Sequence, residues 1–251
     1  MFALYALTNA GFFGPNPVGQ TSTDTNPLLV PAGAAFAIWG PIYLGLAVFP
    51  IFQLIKNRSD HPDWVQFRTT FAVNVILNGL WLVFASYDWM WLTVLTIAVM
   101  LVTLFRLNQL LIRIAMEGGE VNFWAERLVF SLYFAWITLA TVLNVTTALD
   151  FYDWDGFGIP EVTWTLIIGG VAIAITSYTA LKFRDFVYPM VVIWAFVWLG
   201  VRHWESIDAI VGLAGVGIAA AFGAMVLVRP TSGARTRVQE GVREGDSTVV
   251  R

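Results

Sequence analysis

The chain has 251 residues and a formal net charge of −3, and 58% of its residues are hydrophobic while only 12% are charged. Soluble domains carry about 25% charged residues, so this composition excludes a soluble globular protein and predicts an integral membrane protein. The absence of cysteine excludes disulfide bonds, thiol nucleophiles and cysteine-ligated metals.

Two short segments precede the first long apolar stretch. Residues 1–13 are too short to cross a bilayer, and they lack the charged start and small-residue cleavage site of a signal peptide. They predict an interfacial helix or the remnant of an eighth span. Residues 14–32 are rich in Pro, Gly, Thr and Asn, which predicts an extended outer loop lying over the helices.

The rest of the chain predicts an all-α fold, a polytopic transmembrane helix bundle of about seven spans. The predicted spans are 33–55, 66–86, 90–112, 124–149, 161–182, 186–204 and 207–228. Between the fourth and fifth spans, residues 150–160 form an acidic, aromatic loop. After the last span, residues 231–251 alternate charged and small residues, which predicts a disordered cytoplasmic tail.

Charged residues separate to the two sides of this bundle. Of the 14 basic residues, 13 fall on one side and Arg202 is the exception, while acidic loop residues collect on the other side. The positive-inside rule then places the N-terminus outside and the C-terminus in the cytoplasm, and we expect a prokaryotic cytoplasmic membrane. Five residues at span boundaries are expected to be solvated or snorkelling. They are Glu126, Arg127, Arg202, His203 and Glu205.

Three spans carry aromatic, amide or small side chains at spacings of three, four or seven residues, so each set lies on one face of its helix. The alternating directions of the spans bring these faces together in the outer half of the bundle. They predict one largely apolar pocket with a few oriented polar groups, open toward the outer loop. The predicted lining residues are Phe36, Trp39, Tyr43, Asn74, Asn78, Trp81, Tyr133, Trp136, Ala140 and Asn144.

Simpler interpretations stay open for these residues. Trp and Tyr concentrate at membrane interfaces, and an Asn within a span often hydrogen-bonds a neighbouring helix, with a gain of about 0.6–2 kcal/mol. In the last span, Gly215, Ala219 and Gly223 form a face of small residues. We expect that face to pack inside the bundle, with a homodimer contact as the alternative.

Several kinds of chemistry are excluded by what the spans lack. No span has a central lysine for a retinal Schiff base or a central carboxylate for a proton pump. His61 and His203 fall on opposite sides, which excludes a two-histidine haem or metal site, although His203 alone leaves a chlorophyll magnesium open. Only Tyr43 and Tyr133 could act as acid or base at pocket depth, so an enzyme is the least favoured class. We predict no catalytic residue, no metal site and no obligatory cofactor.

The fourth span resembles the last helix of the TspO/MBR family, the tryptophan-rich sensory or translocator proteins. That helix has a Pro-Tyr-x-x-Trp pattern followed by Ala and then Leu-Asn, and Leu132 stands here in place of the proline. The matching residues are Tyr133, Ala135, Trp136, Ala140, Leu143 and Asn144.

Two earlier segments are similar to the same family. Asn78 and Trp81, with Phe84 after them, match its Asn-x-x-Trp helix. Pro31, Gly33 and Phe36 match its Pro-rich helix entry. In that segment, Trp39 and Tyr43 stand one residue earlier than in the usual family pattern, and Ala34 stands where the family has a tryptophan.

The resemblance covers about residues 27–149 and implies a TspO-like core at 1–149, with three additional transmembrane helices at 150–230. It also implies a pocket for a porphyrin-like tetrapyrrole, a lipid or another large apolar ligand, closed by the loop before Pro31. The expected function is a membrane receptor or carrier, with a sensory or regulatory role left open.

A second function, a structural or accessory subunit of a larger and perhaps pigment-bearing membrane complex, also stays open. The expected partners are membrane lipid and a small apolar ligand, with a homodimer or a larger membrane complex as alternatives. No phosphate loop or nucleic-acid signature is present, so no nucleic acid is expected.

Overall fold

The structure, a computed structural model, describes residues 14–17, 24, 26–56 and 61–228. In this part of the chain seven long helices form the fold and no strand is present. The helices are α1 (Trp39–Lys56), α2 (Asp63–Ser86), α3 (Met90–Met116), α4 (Leu128–Phe151), α5 (Glu161–Phe183), α6 (Val187–His203) and α7 (Asp208–Leu227). The segments 1–13 and 231–251, for which the sequence predicts an interfacial helix or span remnant and a disordered tail, lie outside the described residues.

These bounds confirm the predicted polytopic helix bundle. A 3-10 turn, Gly33–Ile38, leads directly into α1, and a π turn, Phe123–Arg127, leads into α4. With these turns included, six of the helices are long and apolar enough to cross a membrane. The exception, α6, has 17 residues and so rises about 26 Å, slightly less than the hydrocarbon core of about 30 Å.

At the centre of the bundle lies α4. It is apolar on every side and 13 of its 24 residues are buried, as expected of a helix that other helices surround. Both α3 and α6 pack against it, and each is also packed along its partner in a hairpin, α2 and α7 respectively. Helix α5 packs mainly on α7, while α1 lies against α4 and the π turn.

Polar contacts join α6 and the loop before it to α4. Tyr188 Oη on α6 donates to Thr138 Oγ1 on α4 at 2.7 Å. The Ser131 hydroxyl donates to the carboxylate of Asp185, and the same carboxylate caps α6 by accepting from the Val187 N–H at 2.9 Å. Helices α5–α7 therefore share one continuous core with α1–α4.

The two ends of the bundle carry different contacts. At one end, called the loop end here, α1, α3, α5 and α7 begin, and residues 26–32, called the strap here, lie across α6. At the opposite end, Arg113 Nη2 donates to Asp63 Oδ1 at 2.7 Å and His61 Nε2 lies 3.1 Å from Glu117 Oε2. The helices thus alternate in direction as predicted, and the assignment of the loop end to the outside stays a prediction.

Arg202 is not the solvated or snorkelling residue that the sequence predicts. Its guanidinium donates to the Pro27 carbonyl at 3.0 Å and to Asn26 Oδ1 at 2.5 Å, and it also reaches the Val30 carbonyl. The strap supplies these acceptors from about 175 residues away in sequence. The one basic residue on the predicted outer side is therefore a fixed contact between the strap and α6.

His203 is buried rather than solvated. Its Nε2 lies 2.9 Å from the Leu28 carbonyl oxygen, so this nitrogen is already engaged and is not open to a chlorophyll magnesium. The Leu28 N–H in turn donates to Glu161 Oε1 at 2.9 Å. The strap is thus tied to the start of α5 and to the end of α6.

Glu126, expected at a solvated helix end, is completely buried. Its carboxylate accepts from Gln53 Nε2 at 2.7 Å and from the backbone N–H of Asn122. The Asn122 side chain accepts from the N–H groups of Trp124 and Ala125 at 3.0 and 2.9 Å. This reciprocal pattern resembles a capping box, which supplies the carboxylate with donors inside the protein.

The sequence predicts that the small-residue face of α7 packs inside the bundle, and this prediction is wrong. Gly215, Ala219 and Gly223 are exposed, and a Cβ added at either glycine would meet nothing within 4 Å. The opposite face packs inward, where a Cβ added at Gly217 would lie 2.6 Å from the Phe196 ring. Close packing between α6 and α7 therefore depends on Gly217, a different small residue on the same helix.

Candidate functional site

The predicted stripe on α4 faces neighbouring helices. Tyr133 and Trp136 are fully buried near the middle of α4, three residues apart and therefore on one face. Further along this face, Ala140 packs half-buried against the core and Asn144 is buried. These side chains therefore make contacts within the protein and do not form an exposed aromatic belt.

Aromatic side chains of α1 and its leading turn pack onto the α4 pair. Trp39 stacks on Tyr43 with ring centroids 5.0 Å apart, and it meets the edges of Tyr133 and Trp136 at 6.1 and 6.3 Å. Phe36 meets Trp136 edge-to-face at 5.7 Å. Such pairs contribute about 0.5–1.5 kcal/mol each beyond area burial. These five residues are called the aromatic cluster below.

A buried amide on α2 joins the two tyrosines of the aromatic cluster. Asn78 Nδ2 donates to Tyr133 Oη at 2.8 Å, and Tyr43 Oη donates to Asn78 Oδ1 at 3.4 Å. Asn78 is almost completely inaccessible, so these partners meet the requirement that a buried amide be hydrogen-bonded. One residue from each of the three predicted faces thus takes part in this contact: Tyr43, Asn78 and Tyr133.

Trp81 and Asn144 form a second buried pair. Trp81 Nε1 donates to Asn144 Oδ1 at 3.0 Å, and Asn144 Nδ2 donates to Thr93 Oγ1 on α3 at 3.0 Å. Sequence reasoning missed Thr93, because a threonine within a helix commonly donates only to a carbonyl of its own helix. Thr93 does donate to Met90 O, at 2.7 Å, but its oxygen also accepts from the amide.

Asn74, the remaining predicted site residue, lies apart from the aromatic cluster. Its Nδ2 donates to Met100 O at 3.2 Å and to Thr103 Oγ1 at 2.7 Å, both on α3. This contact corresponds to the helix–helix hydrogen bond that the sequence leaves open as the alternative reading of an intramembrane asparagine.

One polar group in the aromatic cluster has no hydrogen-bond partner among the residues that the structure describes. Trp136 Nε1 is buried and makes no hydrogen bond within the described part of the chain. A buried donor of this kind costs about 1–3 kcal/mol relative to a satisfied one. The indole N–H of Trp198 on α6, outside the aromatic cluster, likewise has no partner in the described ranges.

Two cavities open near the strap. A cleft of about 240 Å³ lies at the loop end, between the strap, the end of α4 and the start of α5. A smaller cavity of about 30 Å³ has apolar walls from the strap, α4, α5 and α6, and we expect it to be dry. No member of the aromatic cluster lines either cavity.

Three possible metal ligands lie together at the opposite end of the bundle. The side-chain ligand atoms of His61, Asp63 and Glu117 are within 4.8 Å of one another. Arg113 already donates to both carboxylate oxygens of Asp63, and Glu117 is paired with His61. This arrangement is accounted for by an ion pair between Arg113 and Asp63 and a contact between His61 and Glu117.

Comparisons with known proteins extend the motif resemblance. Neither the curated proteins nor the solved structures include a match to the chain. The model of a family described as TSPO-like protein matches residues 1–227. This match continues beyond residue 149 through α5–α7, so it includes the three helices that follow the motif-bearing segment. Because it covers most of the 251 residues, the chain belongs to the TSPO-like protein family.

Proposed function

We propose that this TspO-type membrane protein is a receptor or carrier for a large, planar, apolar ligand such as a porphyrin, which binds against the aromatic cluster. The observation that carries the proposal is the unpartnered indole N–H of Trp136, buried among aromatic rings. A ligand acceptor that reached this donor would remove the cost of leaving it unsatisfied.

The surroundings of Trp136 suit an aromatic ligand with polar edges. The rings of Phe36 and Trp39 both meet Trp136 nearly perpendicularly, at 90° and 86°. If a flat macrocycle displaced Phe36 or Trp39, the indole of Trp136 would still have an aromatic partner. The hydrogen-bonded pair of Asn78 and Tyr133 offers polar groups next to it.

Room for the ligand comes from movement of the α1 side of the aromatic cluster. Phe36 and Trp39 are only half-buried, whereas Tyr133 and Trp136 are fully buried. Phe36 also lies in the 3-10 turn, and α1 packs less extensively on α4 than α3 does. Displacing the turn would expose Trp136 while leaving the central helix in place.

Tryptophan quenching by protoporphyrin, with the full chain in detergent, tests the proposal. We expect saturable quenching of the parent and weaker binding by a Trp81→Phe, Trp136→Phe double variant. Trp124→Phe is the control, because Trp124 is 73% exposed at the opposite end of the bundle. A double variant that titrates like the parent, or a parent without saturable quenching, contradicts the proposal.

A structural or accessory role is the second candidate, and one observation favours it. The amides of Asn78 and Asn144 are satisfied by neighbouring helices, as in an interface that holds helices together. The outward face of Gly215, Ala219 and Gly223 could then pack against a second copy or another membrane protein. Gentle purification followed by mass analysis separates the candidates, since a stoichiometric protein partner without a ligand favours this role.

A further inference from the structure

The cleft of about 240 Å³ at the loop end has a chemistry different from that of the aromatic cluster. Two indoles, from Trp154 and Trp164, line it together with three carboxylates, from Asp150, Asp155 and Glu161. No lysine, arginine or histidine is among its described lining residues. The cleft therefore combines aromatic surface with negative charge.

Local contacts hold the aromatic wall of the cleft in place. Trp164 Nε1 donates to the Gly156 carbonyl at 2.8 Å, and the Trp154 and Trp164 ring centroids lie 5.3 Å apart. Gly156 has φ +63°, and a Cβ there would lie 3.1 Å from Trp164 Nε1. The loop needs glycine both for this backbone conformation and for its close approach to the indole.

Two of the three carboxylates are also positioned by backbone groups. Asp155 Oδ1 accepts from the Phe157 N–H at 3.0 Å, and Glu161 Oε1 accepts from the Leu28 N–H of the strap at 2.9 Å. Arg202 interacts electrostatically with Glu161, but its guanidinium donates to strap oxygens. Three carboxylate side chains thus line the cleft, and among the described residues the guanidinium of Arg202 interacts with one of them, Glu161.

We propose that this cleft binds an organic ammonium cation with a small apolar body, such as a trimethylammonium group. The carboxylates attract the charge, and indole faces attract cations at a gain of about 0.5–2 kcal/mol. A hydrated inorganic cation suits the cleft less well, because indoles do not replace its water ligands. The cation is either a small soluble ammonium compound (called a free amine below) or a lipid headgroup. The site shares no residue with the aromatic cluster.

Binding of choline to the full chain in a non-ionic detergent tests this site. The matched neutral probe is 3,3-dimethylbutan-1-ol, in which carbon replaces the charged nitrogen. Saturation-transfer NMR on the methyl protons measures both affinities. We expect choline to bind at least about tenfold more tightly than the neutral probe, because only the cation gains from carboxylates and indole faces. Equal affinities would overturn the proposal.

A charge-neutralised variant localises the site. Asp155→Asn combined with Glu161→Gln keeps the side-chain oxygens that accept from Phe157 and Leu28, so the loop and strap keep their hydrogen bonds. We expect choline affinity to fall about tenfold. Asp153→Asn is the control, because Asp153 is in the same loop with φ +52°, which Asn tolerates, and does not line the cleft. A double variant that binds choline like the parent would overturn the proposal.

Two lipid mixtures distinguish the sources of the cation. Choline titrations are repeated in mixed micelles that contain phosphatidylcholine or phosphatidylglycerol. Competition by phosphatidylcholine alone supports the site and identifies a lipid headgroup as its occupant. Unchanged choline affinity in both mixtures supports the site and identifies a free amine.

Discussion

The buried amides of α2 and α4 make their contacts deep within the bundle, whereas Arg202 and Asp185, on or beside the C-terminal helices, make theirs at its two ends. In the first group, Asn78 and Asn144 each sit about two turns inside their helices and bond across to aromatic side chains. In the second group, Arg202 binds the strap at the loop end, and Asp185 caps α6 at the opposite end. Both groups share the core around α4.

This difference distinguishes the part of the bundle proposed to bind a ligand from the part that stabilises the fold. Polar groups deep in a membrane protein are costly and contribute only about 0.6–1.7 kcal/mol when paired, so the amides beside the aromatic cluster agree with the proposed ligand contact. Contacts at helix ends lie where water and loop carbonyls are available. The C-terminal helices therefore act as a brace that holds the strap and α4 in place.

The largest effect is expected at the brace, from Arg202→Gln. The variant loses charged hydrogen bonds to Asn26 and Pro27, and we expect the free energy of unfolding to fall by about 2–3 kcal/mol. Unfolding in mixed detergent measures it, and hydrogen exchange should rise in the strap. Arg106→Gln is the control, since its exposed bond to Gln66 predicts little change. Equal losses for both variants would contradict the brace.

Gly217→Ala is expected to cost about 2 kcal/mol of stability, because a new Cβ would crowd the Phe196 ring between α6 and α7. Gly215→Ala is the matched control on the same helix. Its Cβ meets open space, so the higher helix propensity of alanine predicts a gain of up to about 1 kcal/mol. Thermal unfolding of both variants checks the pair. A destabilised Gly215→Ala would mean that the outer face of α7 is covered.

Asn144→Leu is expected to cost about 1.5 kcal/mol of stability, since it leaves the Trp81 N–H without an acceptor and removes the donor to Thr93. Thr141→Val on the same helix is the control, because that hydroxyl donates to the Ile137 carbonyl of its own helix. Equal unfolding free energies for the two variants would show that the buried pair contributes nothing.

Tyr133→Phe and Tyr188→Phe are expected to have the smallest effects on stability, about 1 kcal/mol each. Each removes one buried hydroxyl, bonded to Asn78 in the first case and to Thr138 in the second. Only Tyr133→Phe should weaken protoporphyrin binding, as followed by fluorescence titration. Weaker binding by Tyr188→Phe would extend the binding region into the brace.

The helices were predictable because bilayer thickness fixes the length of an apolar stretch. Convergence of the aromatic and amide faces was also predictable, since spacing fixes the face of a helix and alternation fixes its direction. The pairing of individual amides was not, because it depends on helix rotation. Asn74 therefore bonds α3, although it lies four residues before Asn78 and so on the same side of α2.

Long-range partners account for the wrong predictions at the helix ends. Arg202 and His203 bond a strap about 175 residues earlier, and nothing near them in sequence signals those acceptors. Glu126 differs, because Asn122 four residues before it is a helix-capping type. That local signal could have indicated a buried carboxylate at the start of α4.

The two unpartnered indoles allow the most direct test of the aromatic cluster as a ligand site. Trp136→Phe and Trp198→Phe each remove one buried N–H that has no partner among the described residues. The gain from removing that donor offsets the packing lost with the smaller ring, so we expect only a small change in stability for both. Protoporphyrin affinity, measured by absorbance titration in detergent, should fall about tenfold for Trp136→Phe, through loss of a hydrogen bond to the ligand, and stay unchanged for Trp198→Phe. Equal affinities for the parent and Trp136→Phe would contradict the site.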